Sequence, residues 1–297
     1  MRWNETSVEG KAGLELRTDS LRIGVVTECG PRVAWLSRPK GTNLLFWDRK
    51  GIARDDWKLM GGHRVWIARP DADESEDAYR PDNGACDVDV RGATATVTGA
   101  ADPVLKVRRG LRLTAREDGA VEVEGFLTNV GDMLFSGGVW NLTCTDPAPG
   151  RTYGIPLGDG SEWDCFPLIM FRRWGGGHTS AFDDPQISFT PDMMIVRPQG
   201  RETKRMLLAP RGILAMHAPD QKTTFVKRVA TDRAARLPLG CNAAFYVGTD
   251  NIQVEMETMG QQATLKPGET VTCTETWRLT DGAMELTPDK LLGLFNP

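Results

Sequence analysis

"VEVEGFLT", residues 121–128, is the stretch whose reading decides the fold. Val121, Val123 and Leu127 fall on one side of an extended chain, and Glu122, Glu124 and Thr128 on the other. Alternation with period two is the mark of a half-buried β-strand. The same pattern recurs upstream in "TATVTG" (94–99) and "LRLTARED" (111–118), and downstream in "VTCTETWRLT" (271–280). Turn residues bound these runs: Glu117-Asp118-Gly119, Asn129-Val130-Gly131-Asp132 and Lys266-Pro267-Gly268. Short alternating runs with turn signals every eight to twelve residues imply antiparallel sheets, and many of the 32 glycines and 18 prolines sit at this punctuation. Helical periodicity is confined to "TPDKLLGLF" (287–295), where Thr287 can cap, Pro288 suits the first turn and Asp289 suits the helix dipole. No linker, charge block, low-complexity tract or long repeat interrupts the chain. The expectation is an all-β protein: one large antiparallel β-sandwich domain over residues 1–297, with few short helices.

The bulk numbers exclude several classes. A chain of 297 residues buries about three-quarters of its unfolded surface and needs no covalent staples. Net charge is -4 with the basic residues scattered, so nothing attracts nucleic acid. No apolar run approaches the roughly 18 residues of a membrane span, and Met1-Arg2-Trp3-Asn4-Glu5 opens no secretory signal. The cysteines at 29, 86, 144, 165, 241 and 273 form no C-x-x-C pair. They read as buried thiols in a reducing cytoplasm. The three histidines lack metal-binding spacing, the glycine strings are not phosphate loops, and no G-x-S-x-G elbow is present, so no metal and no cofactor is expected. The oligomeric state stays open between a monomer and a small homo-oligomer.

Chemistry concentrates in a few places. In "NIQVEMETMG" (251–260) a strand would project Glu255 and Glu257 to one face, about 7 Å apart. Such a pair is either a solvated sheet face or a base with a neighbour that binds a polyol. In "KLMGGHRVWIARP" (58–70), a strand starting at the glycines would put His63, Val65 and Ile67 on one side and Arg64 and Trp66 on the other. A loop would instead let His63 and Arg64 converge. Arg beside Trp is a donor fork next to a flat apolar platform, suited to a sugar. His178 follows the glycine loop of "RRWGGG" (172–177), with Trp174 at its mouth; His217, in "ILAMHAP", reads as core; Lys204 either faces a ligand or is solvated. Glu275 shares a strand face with Val271, Cys273, Trp277 and Leu279, so it must be paired, neutral or functional.

"LELRTDSLRIGVVTECGPRVAWLSRPKGTNLLFW" (14–47) resembles the start of the galactose mutarotase-like (aldose 1-epimerase-like) proteins. "GGHRVWIARP" (61–70), "TNVGDMLFSGGVWNLTCTDPAPG" (128–150) and "VEMETMGQQATLKPGETVTCTETWRL" (254–279) resemble a bacterial branch of that superfamily known as a domain of unknown function. The resemblance covers most of the chain and implies a β-supersandwich that binds a sugar or oligosaccharide on a concave sheet face. It implies general acid–base catalysis without a cofactor, most simply aldose 1-epimerisation; cleavage of an unusual sugar and binding alone are the alternatives. Glu257 in Met256-Glu257-Thr258-Met259 matches the family's base, and Arg64 its substrate-binding arginine. The family's histidine in His-x-Tyr-Phe-Asn-Leu is replaced by Gly138-Val139-Trp140-Asn141-Leu142, which leaves His63 or His178 as the acid. The expected site is therefore catalytic Glu257, His63 and His178, with Arg64, Trp66, Trp140, Asn141, Trp174, Lys204 and Glu255 binding substrate.

Overall fold

The alternating runs pair into two antiparallel sheets stacked face to face. A computed structural model describes residues 2–54, 57–69, 82–158, 167–170, 181–230, 232 and 234–295. Across the first sheet the strands run Trp3–Val8, Lys11–Arg17, Arg22–Val26, Arg32–Ser37, His63–Ala68, Phe135–Thr145, Val254–Met259, Ala243–Val247, Thr203–Leu207 and Leu168–Met170; Ala263–Leu265 pairs separately with Phe135–Thr145. The second sheet runs Ile187–Phe189, Met193–Val196, Thr152–Pro156, Ile213–Ala218, Thr223–Val229, Thr270–Leu279, Val121–Asn129, Val107–Ala115, Thr94–Ala101 and Asp87–Arg91.

The apolar halves of the strands meet between the sheets. Val121, Val123, Leu127, Leu111, Leu113 and Trp277 from the second sheet join Val65, Ile67, Val139, Val254, Met256 and Phe245 from the first in one buried cluster. Glu122 and Glu124 point outward, where each meets an arginine, Arg116 and Arg112 respectively. Gly125 is needed for close sheet packing: a Cβ there would lie 2.2 Å from Asn141 Oδ1 and 2.9 Å from a Val65 methyl.

Two local expectations are modified. The C-terminal helix spans Pro288–Gly293 with Thr287 at its N-cap position, but the Thr287 side chain makes no capping bond. His217 is half-buried on the outside of the second sheet rather than in the core, with Nδ1 2.8 Å from the Met284 carbonyl. The five described cysteines are free thiols, and Cys165 lies outside the described residues.

Candidate active site

Three adjacent central strands of the first sheet, His63–Ala68, Phe135–Thr145 and Val254–Met259, bring the candidate residues together. Their register places Leu142 opposite both Arg64 and Glu257, Trp140 opposite Trp66 and Met259, and Cys144 opposite Glu255. Because side chains alternate, Arg64, Trp66, Trp140, Glu255 and Glu257 all project from the outer face, away from the second sheet. Lys204 and Tyr246 reach that face from the next two strands.

The glycine pair sets this register. Gly61 and Gly62 have φ of +86° and +71°, and a Cβ on either would lie 2.3 Å from a backbone oxygen, of Phe46 or Val33. Only glycine fits such a turn. The strand then begins at His63, so Arg64 and Trp66 face outward while His63, Val65 and Ile67 face the core.

The outer face is densely paired, and its side chains are almost wholly buried. Glu257 is fully buried; Trp140 Nε1 donates to its Oε2 at 2.8 Å, and Lys204 Nζ lies 3.2 Å from the same oxygen. The small Ala244 stands opposite Glu257 on the strand that separates it from the Lys204 strand. Lys204 Nζ also sits 4.3 Å from the Trp140 ring centre, a cation–π contact. The second oxygen, Glu257 Oε1, has no hydrogen-bond partner among the described residues. Two residues along the strand, Glu255 Oε1 accepts from Gln253 Nε2 at 2.9 Å and from the Cys144 thiol at 3.3 Å, with Arg64 Nη2 at 3.6 Å. Burial, reinforced by Glu255, pushes the Cys144 thiol well above its ordinary value, so it stays a donor.

Arg64 is aimed by several contacts. It donates to the Leu59 carbonyl at 2.8 Å, and its guanidinium carbon lies 4.3 Å from the Trp66 ring centre. Trp66 Nε1 donates to Asp82 Oδ2 at 3.2 Å, and Trp66 meets Trp140 edge-on at 5.9 Å. Arg32 closes this side, 3.2 Å from Asp82 and donating to the Gly61 carbonyl at 2.7 Å. Burial works to raise the Asp82 carboxyl, but Arg32, Arg64 and Arg109 hold it below the usual carboxylate range.

Two expected site residues point away from the outer face. His63 points between the sheets, where Nδ1 is 2.9 Å from Thr143 Oγ1 and the ring meets Trp277 edge-on at 4.8 Å. Burial, and the cations Lys227 and Arg32, push its pKa down to about 3. Asn141 also points inward and donates to the Cys273 carbonyl at 3.3 Å. The cause is the same for both: each is one position out of phase with a residue that faces the site, Arg64 in one strand and Trp140 in the other. His178 and Trp174 lie outside the described residues. Cys144, Gln253, Asp82 and Arg32 complete the site and were not foreseen. Period two from Trp140 and from Glu255 would have found Cys144 and Gln253; Asp82 and Arg32 carried no local signal.

Glu275 is also resolved. It is fully buried between the sheets, held by Lys227 Nζ at 2.8 Å, by Trp277 Nε1 at 2.6 Å and by the Thr258 hydroxyl. Of the three alternatives, Glu275 is the paired one, and its partner is a lysine on the adjacent strand.

Solved structures share this two-sheet arrangement. A galactose mutarotase-like protein from Lactobacillus casei ATCC 334 aligns with a TM-score of 0.62 over 90% of this chain and 100% of its own, at 10% identity. A candidate aldose 1-epimerase from Escherichia coli K12 aligns at 0.62 over 90% and 98%, with 13% identity. A galactose mutarotase-like protein from Clostridium acetobutylicum aligns at 0.59 over 94% and 98%, with 10% identity. No protein-family profile matches the sequence, and no curated protein does. The chain thus has the galactose mutarotase-like β-sandwich fold, and at these identities the likeness is one of fold. Among the described residues no helix is long and apolar enough to cross a membrane.

Proposed function

We propose that the outer face of the first sheet is a carbohydrate site with aldose 1-epimerase-like chemistry, and that Glu257 is its general base. The observation carrying this reading is the asymmetry of that carboxylate. Oε2 is fixed by Trp140 and Lys204, while Oε1 is buried and has no partner among the described residues. A buried carboxylate oxygen left unmatched is costly, by about 1–3 kcal/mol or more, and a sugar hydroxyl is the donor that would relieve it. Trp66 and Trp140 provide apolar ring edges and Arg64 a fork of donors beside them, the combination that binds polyol rings.

In this reaction Oε1 takes the proton of the anomeric hydroxyl while a second group protonates the ring oxygen. The C1–O5 bond breaks, the aldehyde rotates about its first carbon–carbon bond, and reclosure inverts the anomeric centre. Each proton transfer is worth a factor of about 10² to 10⁴. Of the three imidazoles, His63 faces the core and His217 lies on the second sheet. The proton-donor role therefore falls to His178 in this proposal. The chemistry calls for no cofactor, and the five free thiols favour a reducing, cytoplasmic setting.

Polarimetry tests the proposal. Dissolving pure α-anomers of glucose or galactose with the protein should speed the decay of optical rotation in proportion to protein concentration, and a His178→Asn variant should lose most of that acceleration. Sugar binding without acceleration would assign the site to binding alone.

A further inference from the structure

Next to the paired residues of the outer face lies a cleft of about 720 Å³, walled by residues 46–50, by Ile52, Leu59 and Tyr246, and by residues 249–253. It shares Tyr246, Leu59 and Gln253 with the candidate active site. Leu59 lines the cleft and gives its carbonyl to Arg64; Gln253 lines the cleft and gives its Nε2 to Glu255. Gln253 is only 4% exposed, and its Oε1 has no partner among the described residues. That oxygen is a built acceptor waiting for a ligand donor.

The lining identifies the ligand's chemistry. Trp47 is half-buried against Val8, Cys29 and Ala34, and its indole N–H makes no hydrogen bond among the described residues, so the ring offers an anchored platform with a donor at its edge. The four charged residues of the lining, Asp48, Arg49, Lys50 and Asp250, cancel in sign, two acids against two bases. Asp48 accepts the backbone N–H groups of Lys50, Gly51 and Ile52, and Arg49 pairs with Glu9. An aromatic surface within a lining of no net charge suits an uncharged, hydroxyl-rich ring rather than an anion. From Gln253 to Glu257 is four residues of strand, about 14 Å, farther than one pyranose ring reaches.

We infer that this cleft is a second sugar subsite, so that the substrate is a neutral oligosaccharide whose reducing-end ring lies at Glu257 and whose next units lie against Trp47 and Gln253. The inference rests on the carbohydrate reading of the outer face and adds the length of the substrate.

The test compares glucose and galactose with their reducing disaccharides maltose and lactose, by polarimetry and by calorimetry. Two variants outside the Glu257 site probe the cleft: Trp47→Ala removes the platform, and Thr249→Trp, at an exposed position, fills the space with no demand on the core. Wild-type protein should show kcat/KM at least tenfold higher for a disaccharide than for its monosaccharide. Thr249→Trp, and Trp47→Ala where it folds, should erase that preference while leaving the monosaccharide constant within twofold. Turnover of monosaccharides with no preference for length, or a preference that survives Thr249→Trp, would overturn the subsite and leave the Glu257 proposal standing. Disaccharide binding that Thr249→Trp abolishes, in a protein that accelerates no mutarotation, would support the subsite and refute the epimerase reading instead.

Discussion

Replacing Lys227 by methionine removes the only cation bonded to a carboxylate that has no access to water among the described residues of the intersheet core. Lys227 and Glu275 are both fully buried, 2.8 Å apart, on neighbouring strands of the second sheet. The lysine also donates to Thr143 Oγ1 at 2.9 Å, and the Thr258 hydroxyl bonds Glu275, so the pair clamps two strands of the first sheet. Burial lowers the Lys227 ammonium pKa. It works to raise Glu275, but Lys227 and His63 hold that carboxyl below its ordinary value. Breaking one side of such a pair costs about 3–5 kcal/mol, a large share of a typical 5–15 kcal/mol stability. With a urea slope of about 2–3 kcal/mol per molar, the unfolding midpoint should fall by more than about 1 M. The sign of the pH dependence is specific. In the wild type Glu275 is depressed, so its contribution is present above the unfolded carboxyl value and is lost as pH falls through the folded one. In Lys227→Met the uncompensated carboxyl is raised instead, so folding is favoured below the unfolded value and weakened as pH rises. The destabilisation measured at pH 8 should therefore exceed that at pH 5, and the double variant Lys227→Met, Glu275→Leu should recover most of the loss at both. An equal loss at the two pH values, or no recovery in the double variant, would refute this account of the buried pair.

Other consequences are nearer the site. His63 is held neutral by burial, so the unfolded state binds more protons between pH about 3 and 6.5; stability should drop by up to about 1.4 kcal/mol for each pH unit below 6.5, and His63→Phe should flatten that slope in acid denaturation curves. Gly62→Ala drives a Cβ to 2.3 Å from the Val33 oxygen at a positive φ and should cost about 1–3 kcal/mol or more, with Arg64 displaced and sugar affinity lost together. Trp140→Phe keeps an aromatic ring but deletes the donor to Glu257; a bond to a charged group is worth about 1.5–3 kcal/mol, so kcat/KM should fall by roughly tenfold to a hundredfold and the thermal midpoint by a few degrees.

The sheets were readable because burial imposes alternation: Val121, Val123 and Leu127 fill the core for the same reason that Glu122 and Glu124 cannot. The same period placed Glu255 with Glu257, and Arg64 with Trp66, before any coordinates. It also contained the correction of Asn141, which the family resemblance put in the site although its neighbour Trp140 already claimed the outward phase. His63 turned on a single question, whether the strand starts at the glycines or after a longer loop, and the close approach of Gly61 and Gly62 to neighbouring backbone decides it. Lys227 as the partner of Glu275 was hidden because 48 residues separate them and only strand pairing joins them. Asp82 and Arg32 meet through tertiary convergence of an irregular segment and a strand, which no local spacing announces.

The most direct test is the rate of anomer interconversion by Glu257→Gln, which keeps shape and the Trp140 contact but cannot take a proton. If Oε1 is the base, the variant binds sugar and loses about 10²-fold or more of the wild-type acceleration. A glutamine variant as fast as wild type would contradict the account.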